Sequence, residues 1–93
     1  MAPPSLATVQ RILDEEDLEG LLAMGAPKDE YETEAQMIAN ALAGLTPEQL
    51  TLERVTHVVS AVWEQEFGPF EGEFARKLVP ICRRVAERIL REG

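Results

Sequence analysis

The sequence predicts an all-α fold, a compact bundle of four helices with short connections. Apolar residues recur every three or four positions in four separate segments, which is the spacing of one face of a helix. Glycine and proline interrupt the chain between segments, at 25–27, 44–47 and 68–69. No stretch of four or more residues alternates apolar and polar side chains with β-branched enrichment, so no strand is expected.

The first predicted helix begins after Ser5, whose hydroxyl can cap the first turn, and runs to about Glu16. Its apolar positions are Leu6, Val9, Ile12 and Leu13. Acidic residues occupy its last turn, where the negative end of the helix dipole disfavours them. This local conflict is of a kind expected at functional surfaces.

The second predicted helix begins near Glu32 or Thr33, because Thr33 and Gln36 fit a capping box, and it ends at Gly44. It buries one apolar face: Ala35, Ile38, Ala41, Leu42 and Leu45.

The third helix is predicted to start at Thr46-Pro47, with Gln49 closing the box, and to run to about Phe67 with a bend near Thr51. Its inward positions are Leu50, Val55, Val59, Val62, Trp63 and Phe67. The fourth covers about 71–91, with a bend at Pro80. Its inward positions are Phe74, Leu78, Ile81, Val85 and Ile89.

The 93 residues predict a single domain, 1–93, with 45% apolar and 28% charged residues, an ordinary globular composition. No apolar run approaches the roughly 18 residues of a membrane span. The first residues lack the basic start and apolar core of a secretory signal, so we expect a cytoplasmic protein. Cys82 is the only cysteine, so no internal disulfide can form.

The net charge of −8 is concentrated in the first half of the chain. Residues 1–50 hold ten acidic and two basic side chains, whereas residues 51–93 hold seven of each. A negative field repels phosphate backbones and anionic lipids, which argues against nucleic acid or a membrane as partner. It attracts basic protein surfaces, although acidity that only keeps a small protein soluble is the alternative.

A calcium loop is the first chemical alternative. Glu15, Asp17 and Glu19 with Gly20 imitate positions 1, 3, 5 and 6 of an EF-hand loop. Position 12, which should be a bidentate glutamate, is Ala26, so a solvated acidic turn is favoured.

Histidine and cysteine chemistry is the second alternative. His57 follows Glu53 by four residues, which could make half of a metal site or a proton-transfer pair, but no second half is present. Cys82 lies in an apolar segment and is expected in the core. We predict no catalytic residues, no metal site and no cofactor.

The basic residues of the last helix are expected to pair with nearby acids and to complement its C-terminal dipole. They are Arg76, Lys77, Arg83, Arg84, Arg88 and Arg91.

The segment 25–34 is the least generic part of the chain. Its glycine and proline fix the backbone, and its carboxylates and single tyrosine stand at the start of the second helix. They either stabilise that helix start or form a hot spot for a basic partner. The predicted partner-binding surface, with Tyr31 as anchor, is Asp14, Glu15, Asp17, Glu19, Asp29, Glu30, Tyr31, Glu32 and Glu34.

The run Gly25-Ala26-Pro27-Lys28-Asp29-Glu30-Tyr31, with Asp17 and Gly20 upstream, resembles the signature of a family of small bacterial proteins that includes Bacillus YugE. Glu66-Phe67-Gly68 resembles that family's helix-three ending, and the likeness covers roughly residues 9–68. The chain departs from the pattern at Leu18, where the family often has proline, at Glu32, where it often has aspartate, and in its long last helix.

The resemblance implies a small helical bundle with no known enzyme activity, and similar domains occur among proposed immunity partners of bacterial toxins. We therefore expect a non-enzymatic acidic protein-binding module, most concretely an immunity-type inhibitor of a basic toxin. The alternative is a structural or regulatory homo-oligomer in which the loop serves fold stability.

Overall fold

A computed structural model describes residues 4–17, Gly25, 31–68 and 71–92, apart from the side chains of Phe67 and Phe74. In these residues the chain forms four α-helices and one short 3-10 turn. The helices are α1 (Leu6–Glu16), α2 (Glu32–Ala43), α3 (Leu52–Phe67) and α4 (Gly72–Glu92), and the 3-10 turn is Pro47–Gln49. The all-α, four-helix prediction is confirmed.

The ends of α1 follow from their local sequence. The Ser5 hydroxyl accepts a hydrogen bond from the backbone N–H of Thr8 at 3.2 Å, as predicted for an N-cap. At the other end Asp17 adopts the left-handed conformation, with φ of 45°, and its N–H donates to the carbonyl of Leu13 at 2.8 Å. Aspartate tolerates this conformation better than most residues, so α1 stops here.

The predicted start of the second helix is right although its capping box is not, and the predicted start of the third helix is wrong. Helix α2 begins at Glu32 with Tyr31 as its N-cap, and the capping box predicted at Thr33 is absent because Thr33 already lies in the first turn. The signal at Thr46 is real, since its N–H donates to Gln49 Oε1 at 2.9 Å, but it opens only the 3-10 turn. Helix α3 begins after Thr51, whose hydroxyl accepts from the N–H of Arg54 at 3.2 Å.

The four helices surround one core, each packed on its two neighbours in the order α1, α2, α3, α4 and back to α1. Trp63, Tyr31, Ile12, Leu42 and Leu78 are among its largest fully buried side chains. The remaining predicted apolar-face positions are buried where they are described, except that Leu6 and Ala41 are exposed and Leu45, Leu50 and Ile81 are only partly buried. Cys82 is fully buried, which confirms its predicted place in the core.

Contacts between helices give their directions. Arg11 reaches Glu92 and Glu16 reaches Arg84, so α1 and α4 are antiparallel. Tyr31 at the start of α2 contacts Trp63 near the end of α3, so these two helices also run in opposite directions. The start of α2, the end of α3 and the start of α4 therefore lie at the same end of the bundle. Helix α4 continues through Pro80, and no helix in the described part of the chain is long and apolar enough to cross a membrane.

Candidate functional site

Tyr31, predicted to be the exposed anchor of a docking surface, is fully buried. Its ring centroid lies 5.8 Å from that of Trp63, with the planes tilted by 42°. Its hydroxyl donates a hydrogen bond of 2.6 Å to the Asp17 carboxylate. The prediction of an anchor is therefore wrong, because the phenol connects the end of α1, the start of α2 and the last turns of α3 from inside.

The other residues of the predicted docking surface at and before the start of α2 differ in exposure. Glu34 is only 6% exposed, so its carboxylate belongs to the interior and is not available to steer a partner. Glu32 is exposed, as a docking surface requires. Asp29 and Glu30, like Glu19 before them, lie outside the described residues.

The acidic last turn of α1 faces cations of α4. Glu16 accepts from Arg84 Nε at 2.6 Å and from Arg88 Nη1 at 3.2 Å. Glu15 is bound by the other terminal nitrogen of Arg88. Asp14 accepts from the side-chain amide of Gln10 at 3.2 Å. These carboxylates thus have partners within the molecule, which corrects the expectation that they face an external one.

Arg88 extends the same cluster to the end of α4, where its Nε lies 2.7 Å from a Glu92 carboxylate oxygen. Arg11 of α1 lies 2.8 Å from the other oxygen of Glu92. Three arginines therefore meet three glutamates at close range, and the exposed Arg91 lies farther away, 3.8 Å from Glu92. We call this set the Arg88 network; its members are Arg11, Glu15, Glu16, Arg84, Arg88 and Glu92.

The Arg88 network shifts the pKa values of Glu16, Arg88 and Glu92. Partial burial acts to raise the pKa of Glu16, but hydrogen bonds from Arg84 and Arg88 outweigh it, so the pKa is lowered. Hydrogen bonds from Arg88, and then from Arg11, lower the pKa of Glu92 to about 2. The pKa of Arg88 is raised, mainly by its hydrogen bonds to Glu92 and Glu15. The network therefore keeps all of these groups ionised at neutral pH.

A second acidic group was missed by the sequence reasoning. Four glutamates lie in the segment 64–73, at the end of α3 and the start of α4, with no basic residue between them. All are exposed, as is Glu32 at the same end of the bundle. We call this set the acidic end; its members are Glu32, Glu64, Glu66, Glu71 and Glu73.

No member of the acidic end forms an ion pair with any other residue that the structure describes. A sliding count of charge would have found this segment. The balance of seven acids and seven bases over residues 51–93 concealed it, because six of the seven bases come after residue 73.

The residues considered for catalysis do not come together. Glu53 and His57 lie on the exposed side of α3 and line a cleft with Arg83, whereas Cys82 is buried in the core and does not line that cleft. Within the described ranges, no three histidine, cysteine, aspartate or glutamate side chains form a group that could hold a metal ion. Of the calcium-loop residues, Asp17 instead accepts from Tyr31 and Glu15 pairs with Arg88.

Comparisons with protein-family models, with curated proteins and with solved structures found no match. The likeness to the YugE family therefore stays a prediction, and the argument for function depends on the geometry of the chain itself.

Proposed function

We propose that this chain is a non-enzymatic protein-binding module whose partner presents a basic surface, and that the acidic end is where the partner docks. The observation that supports the proposal is the contrast within one molecule. Three acids of the Arg88 network are neutralised internally, whereas the five of the acidic end are exposed and unpaired within the described part of the chain.

The acidic end favours association with a basic protein surface for two reasons. Five like charges at one end of a small protein create a local potential that speeds the encounter with an oppositely charged surface. These carboxylates are also exposed and form no ion pair with the residues that the structure describes, so an arginine or lysine on the partner can pair with them directly. The net charge of −8 also attracts a basic partner at longer range.

The more specific form of the proposal is an immunity-type inhibitor that covers a basic bacterial toxin. It rests on the resemblance of segment 25–34 to the YugE family, together with the charge of the acidic end. The neighbouring genes in the source genome test it cheaply, because an immunity gene normally follows its toxin.

The decisive experiment compares two variants with the same change of charge. Glu64→Gln/Glu66→Gln neutralises part of the acidic end, and Glu48→Gln/Glu53→Gln neutralises two exposed acids near the start of α3. A partner is co-purified with the wild-type chain from its native host, identified and purified, and its association with each variant is measured by stopped-flow fluorescence.

We expect slower association for the first variant, near-wild-type association for the second, and a steep decrease of the wild-type rate with added salt. Equal rates for both variants, or a partner whose bound face is acidic, would show that the acidic end is not the docking surface.

The alternative function is a structural or regulatory homo-oligomer in which segment 25–34 serves fold stability. The hydrogen bond between Tyr31 and Asp17 favours the stability role, since it ties the end of this segment to α1. That alternative also requires self-association. Sedimentation velocity across a hundredfold range of concentration tests it: a single monomeric species throughout contradicts a homo-oligomer.

A further inference from the structure

A cleft of about 750 Å³ lies between the first turns of α3 and the middle of α4. It is nearer the opposite end of α3 from Glu64 and Glu66; Glu53 precedes Glu64 by 11 residues, which is about 16 Å along the helix axis. Its volume is within the range of small-molecule sites in proteins. The cleft is lined by Thr51, Leu52, Glu53, Thr56, His57 and Arg83.

Two opposite charges line this cleft without neutralising each other. Glu53 is exposed and forms no ion pair with a described residue. The Arg83 side chain is 65% exposed, and its only contact with a carboxylate in the described part of the chain is at 3.5 Å, to Glu87 one turn further along α4. Both charged groups therefore keep hydrogen-bonding capacity for a third molecule.

The floor of the cleft adds one polar and one apolar contact. The hydroxyl oxygen of Thr56 is covered from solvent and has no hydrogen-bond partner among the described residues. A buried hydroxyl of this kind is uncommon, and a ligand in the cleft would satisfy it once the Thr56 side chain rotates toward the cleft. Leu52 is half-buried beside it and offers an apolar wall.

We propose that this cleft binds a small zwitterionic ligand of the amino-acid class with an apolar side chain. The guanidinium of Arg83 pairs with the ligand's carboxylate and the carboxylate of Glu53 pairs with its ammonium group, while the side chain lies along Leu52. A dianion is disfavoured by Glu53 and a simple cation by Arg83, so the pair of charges selects a molecule that carries both. The proposal is independent of the acidic end.

The chain contains its own reporter for this test. His57 is the only histidine and lines the cleft, whereas Trp63 is the only tryptophan and is buried in the core. The C–H protons of the His57 ring are therefore followed by one-dimensional NMR, with the Trp63 indole signal as internal control. The probes are leucine and phenylalanine, together with 4-methylpentanoate, which lacks the amine, and 3-methylbutylamine, which lacks the carboxylate.

We expect a saturable shift of the His57 signals with leucine or phenylalanine, no shift of Trp63, and binding at least about tenfold weaker for both truncated analogues. Arg83→Gln and Glu53→Gln should each weaken amino-acid binding about tenfold. The matched controls Arg76→Gln and Glu48→Gln change exposed charges outside the cleft and should leave affinity unchanged.

Three results would overturn the proposal. One is the absence of any saturable shift of the His57 signals with up to about 20 mM of either amino acid, which is above the dissociation constant of even a weak, millimolar site. Another is equal binding of the amino acids and the truncated analogues. The third is loss of binding in the control variants to the same extent as in the cleft variants.

Discussion

Two helices of this protein carry a pair of glutamates in their last turn, but the fold supplies arginine partners to only one of the two pairs. The last turn of α1 carries Glu15 and Glu16, and the last turn of α3 carries Glu64 and Glu66. In both places the carboxylates face the negative end of a helix dipole. Antiparallel packing of α1 on α4 brings arginines to the first pair, whereas no described cation reaches the second.

The difference shows that acidic residues at a helix end do not by themselves reveal, from the sequence, whether they pair within the protein. Glu16 and Arg84 are separated by 68 positions, so only the packing of α4 decides that this acid is structural. The carboxylates that have no ion-pair partner among the described residues are the ones that we propose another protein binds. Four changes test this contrast, beginning with the largest expected effect.

Tyr31→Ala should be the most destabilising change, because it removes a fully buried ring that packs on Trp63 and holds Asp17. We expect a loss of about 3–5 kcal/mol in the free energy of unfolding, measured by urea denaturation. Tyr31→Phe keeps the ring and loses only the hydroxyl, which should cost about 1–2 kcal/mol. Glu32→Gln, one residue further on and exposed, should stay within about 0.5 kcal/mol of wild type.

If Tyr31→Ala destabilised the protein by less than about 1 kcal/mol, the Tyr31 ring would not be packed in the core.

Arg88→Met should be next, since it removes the guanidinium shared by Glu15, Glu16 and Glu92 but keeps an apolar stem. Of the three, only the Glu16 carboxylate is partly buried, and leaving it without this donor should cost about 1–2 kcal/mol. The control is Arg76→Met on the same helix, an exposed residue with no ion pair in the described part of the chain, which should change stability by at most about 0.5 kcal/mol.

Added salt should reduce the difference between Arg88→Met and wild type, because the network is partly open to solvent. Equal stability of the two arginine variants would mean that the network contributes nothing.

How much of this could be read from the sequence depends on whether local or distant residues decide. Helix periodicity, the Ser5 cap and the buried Cys82 are local, and they were predicted correctly. The start of α3 was wrong because two successive threonine caps compete, and the choice of Thr51 over Thr46 depends on where the following helix packs.

The candidate site was harder to predict because burial and pairing are properties of the tertiary structure. Tyr31 stands between acidic residues in the sequence, which suggested exposure, yet its phenol meets Asp17 from 14 positions away. Pairing of basic residues of the last helix with acids was foreseen, and Arg84 and Arg88 confirm it. Which acids they would select could not be foreseen without the direction of α1 against α4.

Acidification should separate wild type from Arg88→Met. The pKa of Glu16 is lowered in the folded chain and that of Glu92 is lowered to about 2, from an ordinary value of 4.5. Between about pH 4.5 and pH 2 the unfolded chain binds more protons than the folded one. The contribution of these two carboxylates to the free energy of unfolding is therefore fully present above about pH 4.5 and decreases as the pH falls toward 2.

Urea midpoints measured at several pH values between 7 and 2 should therefore decrease steeply on the acid side for wild type and more gradually for Arg88→Met. Parallel acid limbs for the two proteins would show that the lowered pKa values do not arise from Arg88.

The smallest expected effect is also the sharpest test, because it predicts opposite signs for the same substitution. Glu15→Gln/Glu16→Gln removes charges that are paired with α4 and should destabilise the protein by about 1 kcal/mol, mostly through Glu16, which is the less exposed of the two. Glu64→Gln/Glu66→Gln removes two charges that pair with no described residue from a helix C-terminus and should stabilise the protein by a few tenths of a kcal/mol.

Both variants change the net charge equally, so a general effect of reduced repulsion would shift the two urea midpoints in the same direction. A shared sign would therefore contradict the division into structural and available acids. Opposite signs, together with slower partner association for Glu64→Gln/Glu66→Gln alone, would show that the end of α3 retains a stability cost because its carboxylates serve binding.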